Sequence, residues 1–319
     1  MKCRIIELII AMGLLSSNIL LAQRHNSLTS ELDTLKKNAQ ALQSYYYNAK
    51  VHKIVIPGLE SEINENNPLC KQTIDITVGV FNNKHLVEVK CHDGNRKLFD
   101  SIISCYDGEL WSWLDGRLHV MFFSKKRHRR LYSLAGTHPL GLIYGFINFK
   151  NDGGNMVCTY PLDIMNDVGW EQLSREAALI ALDGKQFTFS VTGTDDYTQK
   201  QYFDEITVDK ETYLPIMLKR YNFESNIKGA LTYQHEIKEI GRLKLGSQTV
   251  YYPKTLEIAR YHPPAVAGQE RGNLYYTIST VVTDIKNINK DDDMDFSIDP
   301  TLAKAIVDVD RDVWIDIPK

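Results

Sequence analysis

Apolar and polar residues alternate with a period of two over most of this chain, in short runs. Between Tyr45 and Phe123 the segments "YYYNAKVHKIVI", "KQTIDITVGVF", "KHLVEVKC", "KLFDSIISCYDG", "ELWSWLDG" and "RLHVMFF" follow one another closely. Each is rich in β-branched or aromatic residues. Turn formers such as Asn82-Asn83, Asp93-Gly94, Asp107-Gly108 and Asp115-Gly116 stand between them. The combination predicts a meander of antiparallel strands: alternation assigns side chains to two faces, and Asp-Gly supplies the tight turn. The pattern returns in "ALIALDG", "KQFTFSVTG", "KQYFDEITVD", "LPIMLKRYNF", "GALTYQHEIKEI", "QTVYYPKTLEIARYH" and "LYYTISTVVTDIKNI". The closing "DFSIDPTLAKAIVDVDRDVWIDIP" predicts a short strand, a brief helical turn from Pro300 and a terminal strand.

Two stretches break the strand rhythm. In "ELDTLKKNAQALQSY" the residues Leu32, Leu35, Ala39 and Leu42 recur at helical spacing behind Ser30, which predicts an amphipathic helix capped by that serine. Residues from about 130 to 175 carry helix-start chemistry at Thr137-His138-Pro139 and around Pro161-Leu162-Asp163, so a helical insertion is expected there. No linker rich in Gly, Ser or Pro interrupts the chain, and the economical reading is one domain. The expected class is mainly β (α+β): a strongly curved antiparallel sheet with an N-terminal helix and a helical insertion over it. Strand number alone does not separate a barrel from a half-barrel.

The first residues add a cellular context. "MKCRIIELIIAMGLLSSNILLAQ" has Lys2 and Arg4, an apolar stretch from Leu8 to Leu21 and then Ala22, the layout of a secretory signal peptide spanning residues 1–22. The apolar run is short for a membrane span of ~20 residues, which disfavours a retained anchor. The expected mature chain, 23–319, is soluble and exported to a bacterial periplasm or cell envelope. Removing Lys2, Arg4 and Glu7 takes its formal charge from −3 to −4. Export makes disulfides chemically accessible to Cys70, Cys91, Cys105 and Cys158. Three connectivities are possible. Cys91 and Cys105, on strands expected to be neighbours, are the first choice.

Candidate chemistry is sparse. The nine histidines show no HExxH pattern, and the chain has no GxSxG, P-loop or dinucleotide fingerprint, so no enzyme and no cofactor are expected. Asp291, Asp293 and Asp295 imitate the start of a calcium loop. Phe296 stands where its glycine belongs and Leu302 where its bidentate glutamate would be needed, so no metal site is expected. The densest positive block is "SKKRHRR", with Lys125, Lys126, Arg127, Arg129 and Arg130. On an acidic, exported chain it does not signify nucleic acid. A solvated turn is the plain reading. Contact with anionic head groups is the functional one, since clustered Lys and Arg add ~1 kcal/mol each at such a surface.

Several signposts taken together carry a family resemblance. A signal-like leader and amphipathic helix precede a meander with "YDGELWSWLDG"; a second meander holds "VDKETYLPIMLKRY" and "YYPKTLEIARY"; the end reads "FSIDPTLAKAIVDVDRDVWIDIP". In this order the chain resembles a divergent member of the LolA/LppX-like superfamily of exported lipoprotein-carrier and lipid-binding proteins, from roughly Ser30 to Pro318. The resemblance implies an unclosed β-barrel with helices as a lid over an apolar cavity that takes a lipid or a lipoprotein acyl chain, in a carrier or a sensor. Within that frame Leu32, Leu35, Leu42, Trp111, Trp113, Phe123, Tyr144 and Phe146 are the candidate cavity residues, with Trp111 and Trp113, two apart, sharing a face. The expected partners are a lipid or acylated protein, with a membrane surface or envelope protein as further candidates. The alternative is an envelope structural or interaction module without a cavity. This chain is longer than the compact carriers, with the excess around 130–175, and no ligand-contacting residue carries over by motif.

Overall fold

A computed structural model of the chain describes residues 28–38, 45–55, 73–81, 84–92, 98–116, 118–125, 149–150, 156–157, 173–194, 200–245, 247–266, 268–288 and 294–317. The expected insertion falls mostly outside these residues. Of it, only a two-stranded ribbon and a helical turn at 173–176 are described.

The first meander comprises β1 (Tyr45–Val55), β2 (Thr73–Phe81), β3 (Lys84–His92), β4 (Leu98–Tyr106), β5 (Trp111–Asp115) and β6 (Val120–Ser124). The ribbon is β7 (Phe149–Lys150) with β8 (Met156–Val157). The second meander runs through β9 (Ala178–Leu182), β10 (Gln186–Thr194), β11 (Gln201–Asp209), β12 (Pro215–Glu224), β13 (Ile227–Leu245), β14 (Gln248–Tyr261) and β15 (Leu274–Asn287). A 3-10 turn at Pro300–Leu302 leads to β16 (Ala305–Asp308) and β17 (Val313–Asp316).

Antiparallel pairing of β1 with β15 fuses the two meanders into one 15-stranded sheet, ordered β17-β16-β6-β5-β4-β3-β2-β1-β15-β14-β13-β12-β11-β10-β9. The sheet is curved and unclosed, with β17 and β9 at its two edges. Register shifts recur along it, at Asn48/Ala49, Cys91/His92, Thr188/Phe189, Thr207/Val208, Ile237/Glu239 and Arg260/Tyr261. Each such bulge adds local twist and bend, which is how a sheet this wide curves instead of lying flat. The Asp107-Gly108 turn behaves as the sequence implies: Gly108 adopts φ 106°, while Asp107 accepts from the backbone N–H of Glu109 and Leu110; Asp93-Gly94 lies outside the described residues.

Helix α1 spans 28–38 and buries Leu28, Leu32 and Leu35. It therefore begins before Ser30, which is not its cap. The Ser30 carbonyl lies inside the helix and accepts from the Thr34 hydroxyl at 3.1 Å. The apolar stripe starts one turn earlier than expected because Leu28 belongs to it. Its continuation through Ala39 and Leu42 lies outside the described residues.

Two further expectations are corrected. "DFSID" forms no strand: 294–299 is irregular, and Phe296 and Ile298 pack onto a sheet face with Cys105, Leu114 and Met121. Period-two alternation fits an extended segment laid across side chains as well as one paired edge to edge. The anticipated Cys91–Cys105 disulfide does not form. The thiol of Cys105 is free and buried, and it donates to the Phe296 carbonyl. Cys105 pairs with Leu86, while Cys91 pairs with Asp100, five positions along β4. That offset is about 17 Å of strand, far beyond the Cα separation a disulfide spans, and being odd it places the two positions on opposite faces. Cys70 and Cys158 lie outside the described residues.

Candidate functional site

Strand register assigns every residue to one of two faces, and the α1 face is mostly apolar from β10 to β5. At the α1 end, Leu28, Leu32 and Leu35 join Leu173 and Ala177 in one cluster with Phe187, Phe189, Val191, Ile206, Val208 and Leu218. Across the sheet the row continues from Phe189 through Ile206, Leu218 and His235 to Ile258. From there it passes through Leu256 and Thr280, then Val282, Ala49 and Ile76. It ends on Val78, Val87, Ser104 and Trp113. All of these side chains are buried. Trp113 is 4% exposed and stacks on Phe122 with ring centroids 5.0 Å apart.

One charged pair interrupts this surface. Asp204 of β11 faces Arg220 of β12 in register, and the guanidinium donates through Nε to Oδ1 at 2.8 Å and through Nη2 to Oδ2 at 2.7 Å. Arg220 also lies over the ring of Tyr202, 3.9 Å from its centroid. Gly193 makes room for that ring, since a Cβ there would collide with the Tyr202 phenol. Burial opposes the charge on Arg220, but the Asp204 carboxylate outweighs it and holds the guanidinium above its ordinary value. One register step away, His235 is 3% exposed beside the Tyr233 hydroxyl. Burial, reinforced by the Arg220 charge, pushes its pKa down to about 3, so His235 is neutral across the physiological range.

The opposite face is covered at the first meander by the 294–303 segment. Phe123 belongs to this second cluster, with Leu114 and Met121, and so lies across the sheet from Trp113. It also lines an open depression of about 360 Å³ with Leu110, Lys125, Asp308 and Asp310. Here the basic block begins: the Lys125 backbone N–H and the Ser124 hydroxyl both donate to the Asp310 carboxylate, at 2.6 and 2.8 Å.

The structure thus places Leu32, Leu35 and Trp113 on one face and Phe123 on the other. By register Trp111 shares the face of Trp113, and it stacks on Tyr106 at 4.5 Å. Leu42, Tyr144, Phe146, Lys126, Arg127, Arg129 and Arg130 lie outside the described residues. The buried Asp204 and His235, with the half-buried Arg220, escaped the sequence reading. Their signal was present: in "QYFDEITVD" Asp204 occupies the apolar phase shared by Tyr202, Ile206 and Val208.

No protein-family model matches this chain, and no curated protein does. Among solved structures, a DUF1329 family protein from Desulfovibrio piger is similar at 10% identity and a TM-score of 0.41, over 82% of this chain and 94% of its own. MucB in complex with MucA(peri) is similar at 11% identity and a TM-score of 0.24, over 80% and 93%.

Proposed function

We propose that this is an exported, non-enzymatic protein that holds a lipid or a lipoprotein acyl chain against the α1 face of its curved sheet, as a carrier or a sensor. The supporting observation is the row of buried side chains in register from Phe189 to Trp113, apolar but for His235, Thr280 and Ser104 and flanked by the Asp204–Arg220 pair. An acyl chain laid along such a face gains ~0.8 kcal/mol per methylene withdrawn from water. The helix and the insertion act as its lid, and the basic block from Lys125 to Arg130 faces anionic head groups. Native mass spectrometry of protein purified from its own envelope tests this. The reading expects a co-purifying lipid, and its absence, together with no uptake of a fluorescent fatty acid, would contradict it.

A second reading has an observation of its own. At the α1 end, Leu28, Leu32 and Leu35 are packed directly onto Phe187, Phe189 and Ile206. A sheet filled this way along its whole length would serve as an envelope structural or interaction module with no ligand cavity.

A further inference from the structure

The C-terminal strand presents a surface that the lipid-binding reading does not use. β17 closes the sheet at one edge and pairs only with β16 among the described residues. The Ile317 N–H donates to the Lys304 carbonyl at 2.9 Å. Alternation along an antiparallel strand therefore turns the backbone groups of Trp314 and Asp316 outward, away from β16. The side chains are equally open. Val313, Trp314 and Ile315 are 42%, 57% and 55% exposed, on both faces of the strand. Folded proteins usually guard such an edge with charge or proline, because unpaired backbone groups beside apolar side chains recruit another strand.

The charge around this edge selects the occupant. Asp308, Asp310, Asp312 and Asp316 stand around β17, against Lys304 beside its far end and Arg311, which is itself held 3.6 Å from Asp308. Pairing with a second copy of β17 across the outward groups, with Trp314 opposite its counterpart, would set Asp312 against Asp316. Like charges directly opposite are destabilising in a ladder. A strand carrying lysine or arginine meets the same carboxylates favourably.

We propose that β17 is a docking edge for an extended segment of a partner protein in which apolar residues alternate with lysine or arginine. The segment adds as a further strand of the sheet: main-chain bonds to Trp314 and Asp316 supply affinity, the exposed Trp314 acts as the apolar anchor, and Asp312 and Asp316 select positive side chains.

The test titrates the full chain, isotopically labelled, with a capped peptide of alternating valine and lysine, about eight residues long. The expected result is saturable amide shifts centred on β17, weakened by salt. Trp314→Pro should abolish them, because that N–H faces away from β16 and proline there removes no native ladder bond. Asp312→Asn with Asp316→Asn, which leaves the backbone edge intact, should weaken binding by about tenfold. Equal binding of a valine–glutamate peptide would overturn the proposal, as would no binding or binding retained in both variants. A concentration-dependent dimer lost on Trp314→Pro would also overturn it by assigning the edge to a second copy.

Discussion

Arg220 grips Asp204 with two parallel hydrogen bonds, at 2.8 and 2.7 Å, on a face whose other members are nearly all apolar. The Asp204 side chain is 2% exposed and that of Arg220 16%. Two charges taken this far from water are tolerated only as a pair. The arrangement fixes one register of β11 against β12, since a one-residue slip would leave both ions unmatched.

Arg220→Met should therefore cost about 3–5 kcal/mol by stranding the carboxylate. Adding Asp204→Leu should restore most of that loss, because a matched apolar pair carries no orphan charge. Urea midpoints of the two variants decide this. Equal stability in the single and double variants would show that the pair is not coupled.

His235 makes stability depend on pH. Its folded pKa of about 3 lies below the ordinary value of 6.5 because of burial and then the Arg220 charge. Above pH 6.5 both states are neutral and nothing is lost. As pH falls from 6.5 toward 3, the unfolded chain takes up a proton that the folded chain refuses. Stability should drop by up to about 4 to 5 kcal/mol over that window. His235→Gln should flatten this part of the profile, read from denaturant melts between pH 7 and pH 4.

Cys105 should be inert in the folded protein. Burial, and then the carboxylates of Asp107 and Asp295, push its thiol up to about 12, so almost no thiolate exists at neutral pH. Iodoacetamide should label Cys105 only after unfolding, as peptide mass mapping will record. Recovery of a Cys91–Cys105 peptide without reductant would contradict the register.

The basic block is predicted to act on surfaces and not on stability. Replacing Lys125, Lys126, Arg127, Arg129 and Arg130 with Ser should weaken binding to anionic vesicles by about tenfold or more, since each cation contributes ~1 kcal/mol there. The thermal midpoint should move little, because the Asp310 contact uses the Lys125 backbone and not its ammonium. Unchanged vesicle sedimentation would return the block to an ordinary solvated turn.

The fold was legible wherever local chemistry determined it. Alternation and Asp-Gly turns located the meander strands, and Leu32 and Leu35 located a helix, though Leu28 showed that it begins earlier. Pairings between distant segments were not legible. Nothing in "AIVD" announces that β16 lies parallel beside β6, with Ala305 opposite Val120. Nor does "YYYNAK" announce that β1 takes β15 as its second neighbour. These contacts depend on the path of the whole chain. The cysteine expectation failed for the same reason: neighbouring strands were identified, but not the register that separates Cys91 from Cys105. Of the candidate site, the apolar residues were readable as a class, while their division between faces, Trp113 on one and Phe123 on the other, required the ladder. Asp204 and Arg220 went unremarked because a charged residue in a strand reads as solvent-facing until its phase is checked.

The central claim is that an acyl chain lies on the α1 face, and Trp113 reports on that face. In a Trp111→Phe/Trp170→Phe/Trp314→Phe background, Trp113 is the sole remaining tryptophan. Titration with a fatty acid brominated along its chain should then quench its fluorescence saturably, with an unbrominated acid competing. Unquenched fluorescence, in a protein whose circular dichroism matches the parent, would contradict the account.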